Sequence, residues 1–108
     1  MKSINAKELK QRLDAGEPIK LVNALEENKF LAKHIPGSLN LLMKEDIEKA
    51  LGKNDQVVVY CTDVACNKSI YLYQLLEAIG YTNVYRFAGG LVEWEKEGYP
   101  MEGTMKNN

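Results

Sequence analysis

The strongest constraint on the fold is the apolar run Val57-Val58-Val59-Tyr60, which is followed at once by Cys61. Its residues are mostly β-branched, and apolar and polar residues do not alternate along it. Such a run is typical of a strand that is buried on both faces, as in the middle of a parallel sheet. The sequence therefore predicts a parallel sheet and places Cys61 directly after its most buried strand.

Helix and strand signals alternate on either side of this strand. Apolar spacing and glycine stops predict helices at 6–15, 45–51 and 91–97, and a long one after Cys66 that ends near Gly80. Short strands are predicted at 19–23, after the turn at 33–38, and at 83–85. This alternation predicts a three-layer α/β domain with a mainly parallel sheet over residues 1–102. Residues 103–108 are expected to form a loose tail.

Composition narrows the classes of partner. Fourteen Lys and Arg are interleaved with fifteen Asp and Glu, so we expect no nucleic acid partner. No apolar stretch approaches the ~20 residues of a membrane span, and the charged start from Met1 to Glu8 is unlike a secretory signal. The expected location is the cytoplasm. Two cysteines and one histidine fall short of a structural zinc site, so neither a metal nor a cofactor is expected.

Cys61 lies where α/β domains bind their ligands, because ligands collect beyond the carboxyl ends of parallel strands. Backbone N–H groups of the following loop can point at its sulfur, which lowers a thiol pKa from about 8.5 and produces the nucleophilic thiolate. We therefore expect Cys61 to be the catalytic residue, held in a cradle of loop N–H groups. The cradle residues are Thr62, Asp63, Val64, Ala65, Cys66 and Asn67.

Cys66 ends this loop, and two interpretations of it stay open. In one, it is a redox partner that forms a relay or a protective disulfide with Cys61, which requires Cα atoms within about 7 Å. In the other, Cys66 packs under the loop as a small apolar residue. Arg86, just past the last predicted strand, is on the carboxyl side of the sheet. Two positions are open for it: it faces the site or, as we expect, it is a solvated surface residue.

Four motifs in order give the chain a family resemblance. They are His34-Ile35-Pro36-Gly37-Ser38, Val58-Val59-Tyr60-Cys61, Gly80-Tyr81-Thr82-Asn83-Val84-Tyr85 and Gly89-Gly90-Leu91-Val92-Glu93-Trp94. With these, the chain resembles a single rhodanese domain over nearly its whole length. The resemblance implies a five-stranded parallel sheet flanked by helices, and a persulfide formed on Cys61. The loop from Cys61 to Cys66 has the six residues of rhodaneses, not the seven with a final arginine of related dual-specificity phosphatases, so phosphate-ester chemistry is not expected.

Two departures from the family pattern affect the expected sulfur donor. Asn23-Ala24-Leu25 stands where many members have Asp-Val-Arg, and the loop carries Asp63 without a basic residue, with Lys68 as the nearest cation. A dianion such as thiosulfate would meet a carboxylate, so a persulfide or polysulfide is the expected donor. The acceptor would be a thiol, cyanide or a protein sulfur carrier. The alternative is a non-catalytic sulfur carrier, sensor or protein-interaction module.

Overall fold

The computed structural model describes residues 1–104 and shows in that range the predicted alternation of helices and strands. The elements, in chain order, are α1 (Ala6–Asp14), β1 (Ile19–Asn23), α2 (Glu27–Ala32), β2 (Leu39–Asn40), α3 (Lys44–Ala50), β3 (Gln56–Tyr60), α4 (Lys68–Ala78), β4 (Val84–Phe87) and α5 (Gly90–Lys96). Helices flank the sheet, with α4 against β3 and β4, and α1 against α5. The predicted three-layer α/β class is confirmed.

The sheet is parallel throughout and is centred on β1 and β3, in the order β2-β1-β3-β4. The apolar residues of β3, from Val57 to Tyr60, are all fully buried, as their composition predicts. Between residues 1 and 104 the sheet has four strands, so the expectation of five is wrong in number. Ser3 occupies the fifth position as an isolated parallel bridge to Arg86. It does not extend into a strand because Asn5 already caps α1.

Local signals explain which elements the sequence predicts and which it misses. The Asn5 side chain accepts a hydrogen bond from the Glu8 N–H (2.9 Å), which is the N-cap expected before α1. α2 has no buried residue, so it lacks the apolar face that identifies a helix from sequence. Thr104 belongs to the tail that was expected to be loose, and its N–H donates to the Leu31 carbonyl oxygen (3.1 Å). Residues 105–108 lie outside the described residues.

Tyr60 fastens the turn after α2 to the carboxyl end of β3. Its hydroxyl accepts a hydrogen bond from the Ile35 N–H (3.0 Å) and lies 2.6 Å from Ser38 Oγ. Ser38 Oγ in turn donates to the Ile35 carbonyl oxygen (2.6 Å), so the Tyr60 hydroxyl donates to Ser38. Burial raises the pKa of Tyr60, which keeps the phenol protonated for this role. Tyr60, the residue directly before Cys61, is thus held by hydrogen bonds of its hydroxyl as well as by the pairing of β3 in the sheet.

We predict that Tyr60→Phe lowers the free energy of unfolding by about 1–3 kcal/mol, because it leaves the buried Ile35 N–H without a partner. Denaturant titration measures this change. Tyr71→Phe is the matched control, since the Tyr71 side chain is 66% exposed and its loss of a hydroxyl should cost less than about 0.5 kcal/mol. Equal losses in the two variants would contradict the role of Tyr60.

Candidate active site

The structure pairs Cys61 with Cys66 in a disulfide across the loop, with Cα atoms 6.5 Å apart. Cys61 is only 1% exposed. The half-buried Cys66 covers it, because the loop folds back over the end of β3. Cys61 in this state is neither a free thiol nor accessible. It must be reduced before it can act as a nucleophile.

The backbone of Cys61 and Thr62 is anchored by the start of α5. Leu91 and Val92 donate their N–H groups to the carbonyl oxygens of Cys61 (3.0 Å) and Thr62 (2.9 Å), respectively. These are N–H groups at a helix N-terminus, which have no partner inside the helix. Gly90 makes the approach possible: it has a φ of +56°, and a Cβ there would overlap the Cys61 carbonyl oxygen and lie 2.8 Å from that of Thr62. Gly90 therefore sets the position of the cysteine backbone.

Asp63 organises the loop itself rather than facing outward. Its carboxylate accepts the Ala65 N–H (3.0 Å), and its carbonyl oxygen accepts the Cys66 N–H (3.1 Å). Both N–H groups are thereby bonded to Asp63, and not to Cys61 Sγ, in this structure. The physical reason is the tendency of aspartate to bond the backbone two residues ahead. The other predicted cradle residues include Thr62, Val64 and Asn67, whose positions are exposed.

Two residues that the sequence analysis did not assign to the site contact the cysteine pair. Ser69 of α4 is fully buried, and its Oγ lies 3.5 Å from Cys61 Sγ. Arg86 of β4 donates from Nε to Ser69 Oγ (3.0 Å) and from Nη2 to the Cys66 carbonyl oxygen (3.5 Å). The expectation that Arg86 is a solvated surface residue is therefore wrong. One signal was available: Ser69 is polar on a helix face otherwise formed by Leu72, Tyr73 and Leu76.

The positive charge of Arg86 lies near Cys61, and the Ser69 hydroxyl lies between the two groups. Because Arg86 Nε occupies an acceptor position of Ser69 Oγ, the Ser69 hydroxyl hydrogen is free to donate to a thiolate on Cys61. Charge-assisted hydrogen bonds favour the ionised form of the group that they reach. Lys68, the cation nearest in sequence, is paired with Glu26 (2.9 Å), and this contact lowers the pKa of Glu26.

The segment that follows β1 brings no charge to this region. Asn23, Ala24 and Leu25 are buried, and the Ala24 N–H donates to the Tyr60 carbonyl oxygen (2.9 Å). Asn23 Oδ1 accepts the Leu25 N–H (2.8 Å), so this side chain braces its own turn. On the other side of the loop, Val64 borders a cavity of about 320 Å³ whose lining includes Glu8 and Glu93.

Residues 5–97 match the sequence pattern of the rhodanese-like domain. The chain belongs to the rhodanese-like family. The rhodanese-like domain of an Anabaena protein is 25% identical and superposes with a TM-score of 0.86, over 97% of this chain and 81% of that one. A thiosulfate sulfurtransferase from Pseudomonas aeruginosa shares the fold, at 22% identity and a TM-score of 0.79, over 95% of this chain and 20% of that one.

An HTH-type transcriptional regulator from Mycobacterium tuberculosis is also similar, with 28% identity over 102 residues. The match takes in 93% of this chain and 44% of the regulator, so this rhodanese-like chain spans less than half the length of that relative. Within residues 1–104, no helix is long and apolar enough to cross a membrane. The same range holds no group of three or more His, Cys, Asp or Glu residues placed to bind a metal.

We predict that Gly90→Ala destabilises the domain by about 2–5 kcal/mol, since the new Cβ adds a backbone clash to the strain of a positive φ. Gly16→Ala is the matched control, because Gly16 has a φ of +81° but no atom within 4 Å of a Cβ. Its expected cost is only about 1–2 kcal/mol. Urea titration of both variants separates clash from strain, and similar costs would exclude the clash at Cys61.

We predict that Ser69→Ala and Arg86→Gln each raise the pKa of the Cys61 thiol, because each removes a hydrogen-bond donor or a positive charge that stabilises the thiolate. The measurement is the rate of alkylation against pH in a Cys66→Ser background, where Cys61 is the sole cysteine. Lys68→Gln is the control, and its Cys61 pKa should match that of the parent. A pKa that is the same in all of them would remove Ser69 and Arg86 from the site.

Proposed function

We propose that this chain is a sulfurtransferase in which reduced Cys61 accepts a sulfane sulfur as a persulfide and passes it to a second nucleophile. The observation that carries the proposal is the placement of Cys61 at the carboxyl end of β3, beside Ser69 and Arg86. The thiolate attacks the donor sulfur, and the donor leaves as a thiolate or related anion. Membership of a family that includes sulfurtransferases supports this chemistry.

The proposed donor is a persulfide or polysulfide of low charge. Asn23, Ala24 and Leu25 add no cation, and the cavity beside Val64 is lined partly by carboxylates. Glu8 is paired with Arg12 (2.8 Å), and Glu93 accepts the Ala6 N–H (2.6 Å), so within residues 1–104 the lining of this cavity offers a thiosulfate dianion no free cation. An uncharged or singly charged donor has less need of one.

The proposed acceptor is a thiol, cyanide or a protein that carries sulfur, and neither nucleic acid nor a membrane is required. Cys61 must be reduced before the first loading, because its sulfur is bound to Cys66 in this structure; each transfer to the acceptor then returns Cys61 as a thiolate. The cytoplasm, which is the location expected from the sequence, suits the reaction since thiols are kept reduced there.

A second candidate is a non-catalytic sulfur carrier or sensor that reports to a partner. Two observations favour it: the Cys61–Cys66 pair covers the nucleophile, and the curated relative is a transcriptional regulator more than twice as long as the match. A sensor would load sulfur without sustained turnover. Multiple-turnover assays with excess donor and acceptor distinguish the two functions.

We predict that the reduced protein gains the mass of one sulfur atom on Cys61 faster with glutathione persulfide than with thiosulfate. The Cys66→Ser variant is best for this measurement by mass spectrometry, because it cannot close the disulfide. Cys61→Ser should gain no sulfur, since the nucleophile is gone. Loading of Cys61→Ser at the parent rate would overturn the proposed function.

The Asp63→Asn variant tests whether negative charge on the loop determines the donor preference. This change removes the negative charge but keeps the Oδ1 atom that accepts the Ala65 N–H, so the loop is retained. If charge limits thiosulfate use, loading by thiosulfate should rise more than loading by glutathione persulfide. Equal effects on both donors would show that the Asp63 charge does not select the donor.

A further inference from the structure

We infer that Cys66 is a resolving cysteine, which attacks the Cys61 persulfide and releases its outer sulfur as hydrosulfide. The chain would then reduce sulfane sulfur to sulfide, a different outcome from transfer to an acceptor. This inference rests on the proposed function, because it begins with a persulfide on Cys61.

The first support is that the Cys66 sulfur contacts Cys61 Sγ directly. The two residues are joined sulfur to sulfur, with Cα atoms 6.5 Å apart, inside the range of native disulfides. In a persulfide this atom is the inner sulfur, which bears the outer one. Attack there closes the disulfide and expels the outer sulfur, whereas attack on the outer sulfur would only move it to Cys66.

The second support is that the loop holds Cys66 in place through its backbone. The Cys66 N–H donates to the Asp63 carbonyl oxygen (3.1 Å), and the Cys66 carbonyl oxygen accepts from Arg86 Nη2 (3.5 Å). Cys61 is fixed independently by the N–H of Leu91 (3.0 Å). Reactants that are held in this way react faster than free thiols, because little orientational freedom is lost on the way to the transition state.

The third support is the polar environment of the sulfurs. Arg86 and Ser69 form a hydrogen-bonded path that ends 3.5 Å from Cys61 Sγ, where negative charge passes from the attacking thiolate to the leaving sulfur. Thr62, Val64 and Ala65 on the loop are exposed, so a released hydrosulfide has a short way to water. Stabilisation of negative charge beside Cys61 Sγ lowers the barrier to exchange.

The step balances without an external oxidant. The Cys66 thiolate forms a bond to Cys61 Sγ, and the bond from Cys61 Sγ to the outer sulfur breaks with its electron pair going to that sulfur. The outer sulfur leaves as hydrosulfide with the proton that it carried. Two cysteine sulfurs are oxidised to the disulfide while one sulfane sulfur is reduced to sulfide. An external dithiol then restores both thiols for the next cycle.

The test is a single turnover of the full chain, reduced and then freed of reductant, with an equal amount of glutathione persulfide. Free sulfide and intact protein mass are followed together, and a sample without protein gives the background. The parent should release sulfide at least about tenfold faster than Cys66→Ser and lose two hydrogens in mass. Cys66→Ser should instead accumulate one sulfur atom on Cys61. Leu31→Ser, changed at an exposed position of α2, should behave as the parent does.

Each other outcome is decisive. If the parent accumulates a persulfide as Cys66→Ser does and releases no sulfide above background, the resolving role is wrong while the proposed sulfurtransferase function stands. If peptide mapping finds the added sulfur on Cys66, the outer sulfur was attacked, and hydrosulfide release is overturned. If Cys66→Ser takes up no sulfur, the proposed function itself fails.

Discussion

The close approach of Gly90 to the backbone of Cys61 and Thr62 is the contact on which the rest of the site depends. A side chain at this position would occupy the space of two carbonyl oxygens, so only glycine lets α5 begin there. The same contact provides Leu91 and Val92 with hydrogen-bond acceptors at the helix start. It also positions α5 so that Trp94 packs edge-on against Phe87 of β4, with ring centroids 6.2 Å apart. Core packing and the position of the cysteine thus share one constraint.

The sequence was sufficient for the features that depend on local pattern. The unbroken apolar character of β3 indicated burial on both faces and so placed Cys61 at a sheet end, and Asn5 marked the start of α1. Features without a local pattern were missed. α2 has six residues and fully buries none of them, so its Phe30-Leu31-Ala32 run does not form the repeating apolar face that identifies a longer helix. Residues before Asn5 form one bridge instead of a fifth strand, because the helix cap leaves them too few positions to pair.

The composition of the site was harder to predict for a related reason. Ser69 and Arg86 are 17 residues apart in the sequence. They meet because α4, which carries Ser69, packs against β4, which carries Arg86. The polar Ser69 on the buried face of α4 indicated a buried partner, but neither local sequence identifies that partner as Arg86. Asp63 has a second role that the sequence analysis did not anticipate: one of its carboxylate oxygens bonds the backbone of its own loop. A charged residue in a short loop has this competing use whenever an N–H lies two residues ahead.

The two ends of the loop are held by different kinds of contact, and this decides which cysteine can move. Cys61 continues from a central strand and is anchored through its carbonyl oxygen, so displacing it would disturb the sheet and α5 together. Cys66 is held by two contacts, from its N–H to the Asp63 carbonyl oxygen (3.1 Å) and from Arg86 Nη2 to its carbonyl oxygen (3.5 Å). Uncovering the deeper sulfur after reduction would therefore break contacts of the loop alone, and the framework of the domain stays as it is.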